Sequence, residues 1–217
     1  MNTACFAARA GLVCCVAPLL YACVSATTYM RPITPLPQGQ RARVTVGGGG
    51  GGGLFGGQGH GELTAAYRVT DEIEVVGFGK GAGVYLPDSG GWTYVARAGL
   101  VARQSLEIID QTSFGWEAGA AYTTFLGGIG DQHQLGLLIG IPVHQELSPG
   151  LYLYSNPSVH IGGVVAGRVA ETPIVSEADL PLGIAWQLWD HLILVGEVTY
   201  LPLLEGAIGS VGLMGTF

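Results

Sequence analysis

Past residue 23 the chain has no cysteine, because Cys5, Cys14, Cys15 and Cys23 are all it contains. A disulfide framework and a cysteine-based metal site are therefore excluded from everything that follows. Charge is scarce too, at 12% of residues, and basic charge is scarcer still, with nine Lys and Arg against sixteen Asp and Glu for a formal net charge of −7. Nucleic-acid binding needs clustered basic side chains that displace counterions from phosphates, and none cluster here, so no nucleic-acid partner is expected. The chain also lacks an apolar run of the roughly 20 residues with which a helix crosses a bilayer. Its histidines, His60, His133, His144, His160 and His191, never fall two or four residues apart, so no metal or other cofactor is expected. What the chain has in excess is glycine, 37 residues, within a composition that is 48% hydrophobic. That is too apolar for a disordered chain and too glycine-rich for a helical one, which leaves an all-β protein with one folded domain.

The chain divides into three parts. Arg9 and the apolar stretch from Gly11 to Ala22, interrupted by Pro18, read as a secretory signal over residues 1–22. Its end, Leu20-Tyr21-Ala22-Cys23, resembles a bacterial lipobox, which implies cleavage before Cys23 and acylation of its thiol; Val24-Ser25-Ala26 offers an ordinary cleavage site instead. Residues 23–40 carry Pro32, Pro35 and Pro37 and form a tether that cannot build a core. The domain follows over 41–217. The seven glycines from Gly47 to Gly53 lack the Lys-Ser/Thr and helix of a phosphate loop, so they predict a loop or a glycine-rich strand end.

From there the hydrophobic pattern has period two. It places strands at 41–46, 60–69, 72–84, 92–103, 113–125, 133–143, 157–168, 177–188, 191–201 and 207–217, ten in all, with eight as the alternative. One row of each is apolar, as in Leu135, Leu137, Ile139 and Ile141. The opposite rows carry Arg41, Arg43, Glu62, Arg68, Glu72, Glu74, Lys80, Arg97, Arg103, Glu117, Arg168, Asp179 and Glu197 among Gly, Ala, Thr and Ser. A solvated sheet face would favour long Lys and Glu chains throughout. Small residues around a few charges suit a narrow lumen, and the six acids and seven bases nearly cancel, so these residues form a candidate lumen charge network. The short turns at Thr70-Asp71 and Trp189-Asp190 belong on the periplasmic side together with both termini, and the gaps at 47–59, 85–91, 126–132, 169–176 and 202–206 then face outside. The pattern therefore predicts an up-and-down antiparallel transmembrane β-barrel.

The last strand carries a family resemblance. Ala207 to Phe217 alternates Val211, Leu213 and Gly215 and ends on Phe217, and it is similar to the C-terminal aromatic signal of small outer-membrane barrels of the OmpA and OmpX type. The resemblance implies residence among outer-membrane lipids and recognition of Phe217 by the barrel assembly machinery. It carries over no specific function; the nearly cancelling charges of the inward rows instead support an expectation of a structural or interaction role in the cell envelope with the lumen plugged by side chains, ahead of a narrow conduit for small solutes and a lipid-modifying enzyme. Asn156, Ser158 and His160 share a strand face, and such a trio can activate a serine. Outer-membrane lipases present that chemistry to the lipid, whereas this trio faces inward, so no enzyme is expected. Glu72 and Glu74 could form an acid–base pair, but with Arg68, Lys80 and Arg97 near them they read as lumen charges.

Overall fold

A strand that crosses hydrocarbon has no water to bond, so every backbone N–H and C=O needs a neighbour, and only closure of the sheet satisfies them all. A computed structural model describes residues 40–53, 56–86, 91–109, 111–127, 132–167, 175–202 and 206–217, and its sheet closes. The strands are β1 (Ala42–Gly53), β2 (Gly56–Arg68), β3 (Ile73–Leu86), β4 (Gly91–Ile109), β5 (Thr112–Gly127), β6 (Gln132–Gly140), β7 (Val143–Ser148), β8 (Leu151–Ser155), β9 (Ser158–Gly167), β10 (Val175–Trp189), β11 (Leu192–Leu201) and β12 (Gly206–Thr216). All pairings are antiparallel. The ring runs β1-β2-β3-β4-β5-β6-β9-β10-β11-β12 and returns to β1, with β7 and β8 continuing β6 and β9. Ten staves thus make an up-and-down barrel. Both described chain ends lie at one end of it, where Phe217 N–H donates to the Ala42 carbonyl at 2.8 Å and the Arg41 N–H donates to the Phe217 carbonyl at 2.8 Å. This is called the terminal end below.

Two features depart from the sequence pattern. The glycine run, read above as a loop or a strand end, is strand throughout: Gly47 to Gly52 pair with β12 on one side and β2 on the other. Glycine has no side chain to display period two, yet its backbone groups bond like any other. The second departure is at 144–156, which the sequence pattern leaves unassigned between the strands at 133–143 and 157–168. The staves continue instead as β7 and β8, a hairpin that turns at Pro149-Gly150 with Gly150 at φ 77°. Pro142 and Pro157 interrupt these staves because proline cannot donate to a ladder. Their carbonyls still accept, from Gly115 N–H at 2.8 Å and Ile141 N–H at 2.9 Å.

The alternation sorts the side chains across the wall. Leu137 is 63% exposed and Val211 62%, whereas Val101 is 1% exposed and Glu117 0%. The apolar rows read from the sequence are the outer surface. Aromatic side chains collect toward both rims, with Tyr67, Trp116 and Trp186 nearer the terminal end and Tyr85, Trp92 and Tyr94 nearer the other, as membrane interfaces favour.

Candidate functional site

The site is the interior, and β3 to β6 display its layers in order. Inward positions run Glu74, Val76, Phe78, Lys80 on β3 and Arg103, Val101, Gly99, Arg97 on β4. They continue as Glu117, Gly119, Ala121, Thr123 on β5 and Gly140, Leu138, Gly136, Gln134 on β6. Charges therefore lie above and below an apolar band.

The layer nearer the terminal end is an ion-pair network. Arg43 on β1 pairs with Glu74, and Arg103 reaches Glu74 at 3.5 Å through Nη1. Arg103 also donates to Glu117 Oε2 from Nη2 at 2.6 Å and from Nε at 3.0 Å. Arg43, Arg103 and Glu117 are buried. The upper layer joins Glu62, Lys80, Arg97, Thr123 and Gln134, successive partners across four strand pairs. Glu177 of β10 lies 3.8 Å from Arg97 Nη1 and 3.6 Å from His160 Nδ1. Between the layers Ala66, Val76, Phe78, Val101, Ala121 and Leu138 pack as one cluster, and the Arg97 guanidinium stands over the Phe78 ring, 5.8 Å from its centroid.

The far wall is polar, then apolar. Tyr154 Oη donates to Glu197 at 3.0 Å, Thr199 donates to the same carboxylate at 3.0 Å, and His60 and Ser210 share a bond of 3.1 Å. Below them Tyr154, Ala185, Ile193, Val195 and Met214 form a second apolar cluster. Glycines make room for these rings: a Cβ on Gly183 would overlap the Tyr154 ring, and one on Gly136 would overlap His160.

A closed sheet with hydrocarbon side chains outside and ionised ones inside has the polarity of a protein dissolved in lipid. The chain is a transmembrane β-barrel. No family model matches it, and no curated protein does either. Solved structures with a similar course are barrels. The translocator domain of the autotransporter NalP from Neisseria meningitidis is 13% identical over 83% of this chain and 90% of that one, with a TM-score of 0.45. The KdgM porin is 7% identical over 81% and 99%, at 0.43. Outer membrane phospholipase A from Escherichia coli is 8% identical over 81% and 92%, at 0.38. Likeness at that level transfers no activity.

The candidate lumen residues do not all fall inside this barrel. Arg43, Glu62, Lys80, Arg97, Arg103, Glu117, Asp179 and Glu197 are buried in it, and Arg68 and Glu74 lie partly buried near its terminal mouth. Arg41 and Glu72 are exposed at the rim, a correction to the pattern, because Arg41 precedes β1 and Glu72 belongs to the β2–β3 turn. The Glu72 carboxylate there accepts from Gln104 Nε2 at 3.1 Å, so it makes no acid–base pair with Glu74 in the interior. Arg168 and Cys23 lie outside the described residues. Phe217 is 70% exposed on the outer surface. Sequence reasoning missed Glu177 and the partnership of His160 and Tyr154 with this network. The parity of Glu177 with Asp179 was its signal.

The serine trio is inside the barrel, with Ser158 and His160 on one row and Asn156 at the β8–β9 break. Ser158 Oγ donates to Asp179 Oδ2 at 3.4 Å, which directs the hydroxyl at a carboxylate rather than at a base-bound substrate site. Among the described residues no group of three or more His, Cys, Asp and Glu could hold a metal ion.

Proposed function

We propose that this barrel serves the cell envelope as a structural or interaction module whose lumen is plugged by its own side chains. It would sit in the outer membrane with both termini in the periplasm, tethered through acylated Cys23. One observation carries the plug: the apolar band of Val76, Phe78, Val101, Ala121 and Leu138 separates two charged layers. A hydrated ion would have to shed its water to pass such a band, and the layers on either side hold ion pairs rather than a ring of one sign. In planar bilayers the purified barrel should give no resolved conductance steps, whereas the variant Phe78→Gly with Leu138→Gly, which empties the band, should. Steady ion-selective steps from the unaltered protein would sink the plug.

A second use, a narrow conduit or seat for a small polar solute, draws support from Gln134 and Thr123. Their side-chain polar atoms are buried and take no hydrogen bond from the described residues. Swelling of proteoliposomes in a small sugar, lost in Gln134→Leu, is the outcome that favours it. Phospholipid hydrolysis by the purified barrel would instead favour a lipid-modifying enzyme.

A further inference from the structure

The barrel wall is not level at the terminal end. β3 begins at Ile73, directly opposite Gln104 of β4, yet β4 runs on to Ile109. Over that extension β5 pairs with one side of β4. On the other side, among the described residues, only the Ser105 N–H has a partner, the Glu72 carbonyl at 3.2 Å. With period two, the next N–H and C=O aimed that way belong to Glu107, so residues 105–109 form a sheet edge.

This edge starts at the rim, level with the exposed β2–β3 turn. Gln104, one residue before it on the outer surface, accepts from the Trp116 indole at 2.6 Å and donates to Glu72, and Leu106 beyond it is half-exposed. At its foot lies a cleft of about 70 Å³ lined by Arg68, Asp71, Glu72, Glu74, Arg103 and Ser105. Asp71 and Glu72 form an exposed acidic lip.

The chain carries a segment that fits. β1 enters at the same end, where Gln40 Nε2 and His191 Nδ1 lie 2.7 Å apart. β4 is three strands from β1, about 14 Å at ~4.8 Å per strand, and residues 32–40 can span roughly 30 Å when extended. Ahead of them residues 24–31, Val-Ser-Ala-Thr-Thr-Tyr-Met-Arg, hold neither proline nor glycine and are rich in strand-favouring types. Arg31 is the only charged residue between Cys23 and Gln40, and its sign is opposite to that of the lip. Because the segment is tethered, its pairing is intramolecular, at an effective concentration on the order of millimolar.

We propose that residues 24–31 add a strand to the free edge of β4, with Arg31 against Asp71 and Glu72. The added strand covers an edge that would otherwise pair with another chain, and it holds the tether flat against the barrel. Hydrogen exchange on the full mature chain in micelles tests this. The Glu107 amide should be protected, and should exchange at least tenfold faster in Thr27→Pro with Tyr29→Pro while amides in the middle of β3 and β5 do not change. Arg31→Asp accelerates it as well, and adding Asp71→Arg restores protection, a rescue that mere structural damage would not give. Equal exchange in all variants overturns the proposal. Protection that survives the double proline variant but depends on protein concentration also overturns it, in favour of a second copy on the edge.

Discussion

Glu117 has no exposed surface, and its carboxylate takes two bonds from one guanidinium, that of Arg103. A buried charge costs little only while its partner stays in place. Arg103→Met should therefore destabilise the barrel by roughly 3–5 kcal/mol in urea unfolding from micelles, because it takes from the buried Glu117 carboxylate the guanidinium that gives it two hydrogen bonds. Adding Glu117→Leu should recover most of the loss, and no recovery would mean that the pair matters for packing rather than charge. Gly183 offers a steric counterpart. A methyl group there meets the Tyr154 ring, so Gly183→Ala should cost about 1–3 kcal/mol and Tyr154→Ala should relieve the clash. At this scale sequence parity located most interior residues, such as Lys80 and Arg97 on facing strands. Partners were a different matter: Arg97 with Glu177, or Tyr154 with Glu197, join strands far apart in the chain and depend on how the ring closes.

The strands test the wall itself. Leu137 on β6 and Leu182 on β10 face outward in mid-strand. Arginine at either should cost on the order of 2–4 kcal/mol by placing charge in hydrocarbon, seen as loss of the heat-modifiable folded band on gels. Thr64→Arg faces the interior, where polar neighbours can accept it, and should assemble more readily. Equal assembly of both sets would remove the membrane from the account. β1 gives a sharper contrast, because a Cβ on Gly49 would overlap the Gly209 carbonyl of β12 whereas one on Gly61 of β2 meets nothing within 4 Å. Gly49→Ala should therefore impair closure, and Gly61→Leu should be tolerated. The glycine strand was illegible as a strand because periodicity is written in side chains, and seven of the twelve residues of β1 have none. The β7–β8 hairpin hid for another reason: Pro142 and Pro157 look like strand ends, although here they only interrupt staves that go on.

For the molecule as a whole the orientation is open to a direct check. A cysteine introduced at Gly128 should react with an impermeant reagent on intact cells and one at Asp190 should not; the opposite result would turn the barrel over. The closed ring makes the interior a single packed unit, so the charged layers, the apolar band and the far-wall cluster should unfold together as β12 leaves β1. Much of this was already determined by the sequence alone. Period-two alternation over some ten segments, apolar on one row and small or charged on the other, gave the all-β class and most of the inward set from local chemistry, although it left ten and eight staves open, placed Arg41 and Glu72 inside and missed Glu177. Only the tertiary structure decided which charges meet, that an apolar band parts them, and that β4 outruns β3. Those depend on the stagger between strands and on where each stave ends, and backbone pairing along one strand carries no information about the height of its neighbour.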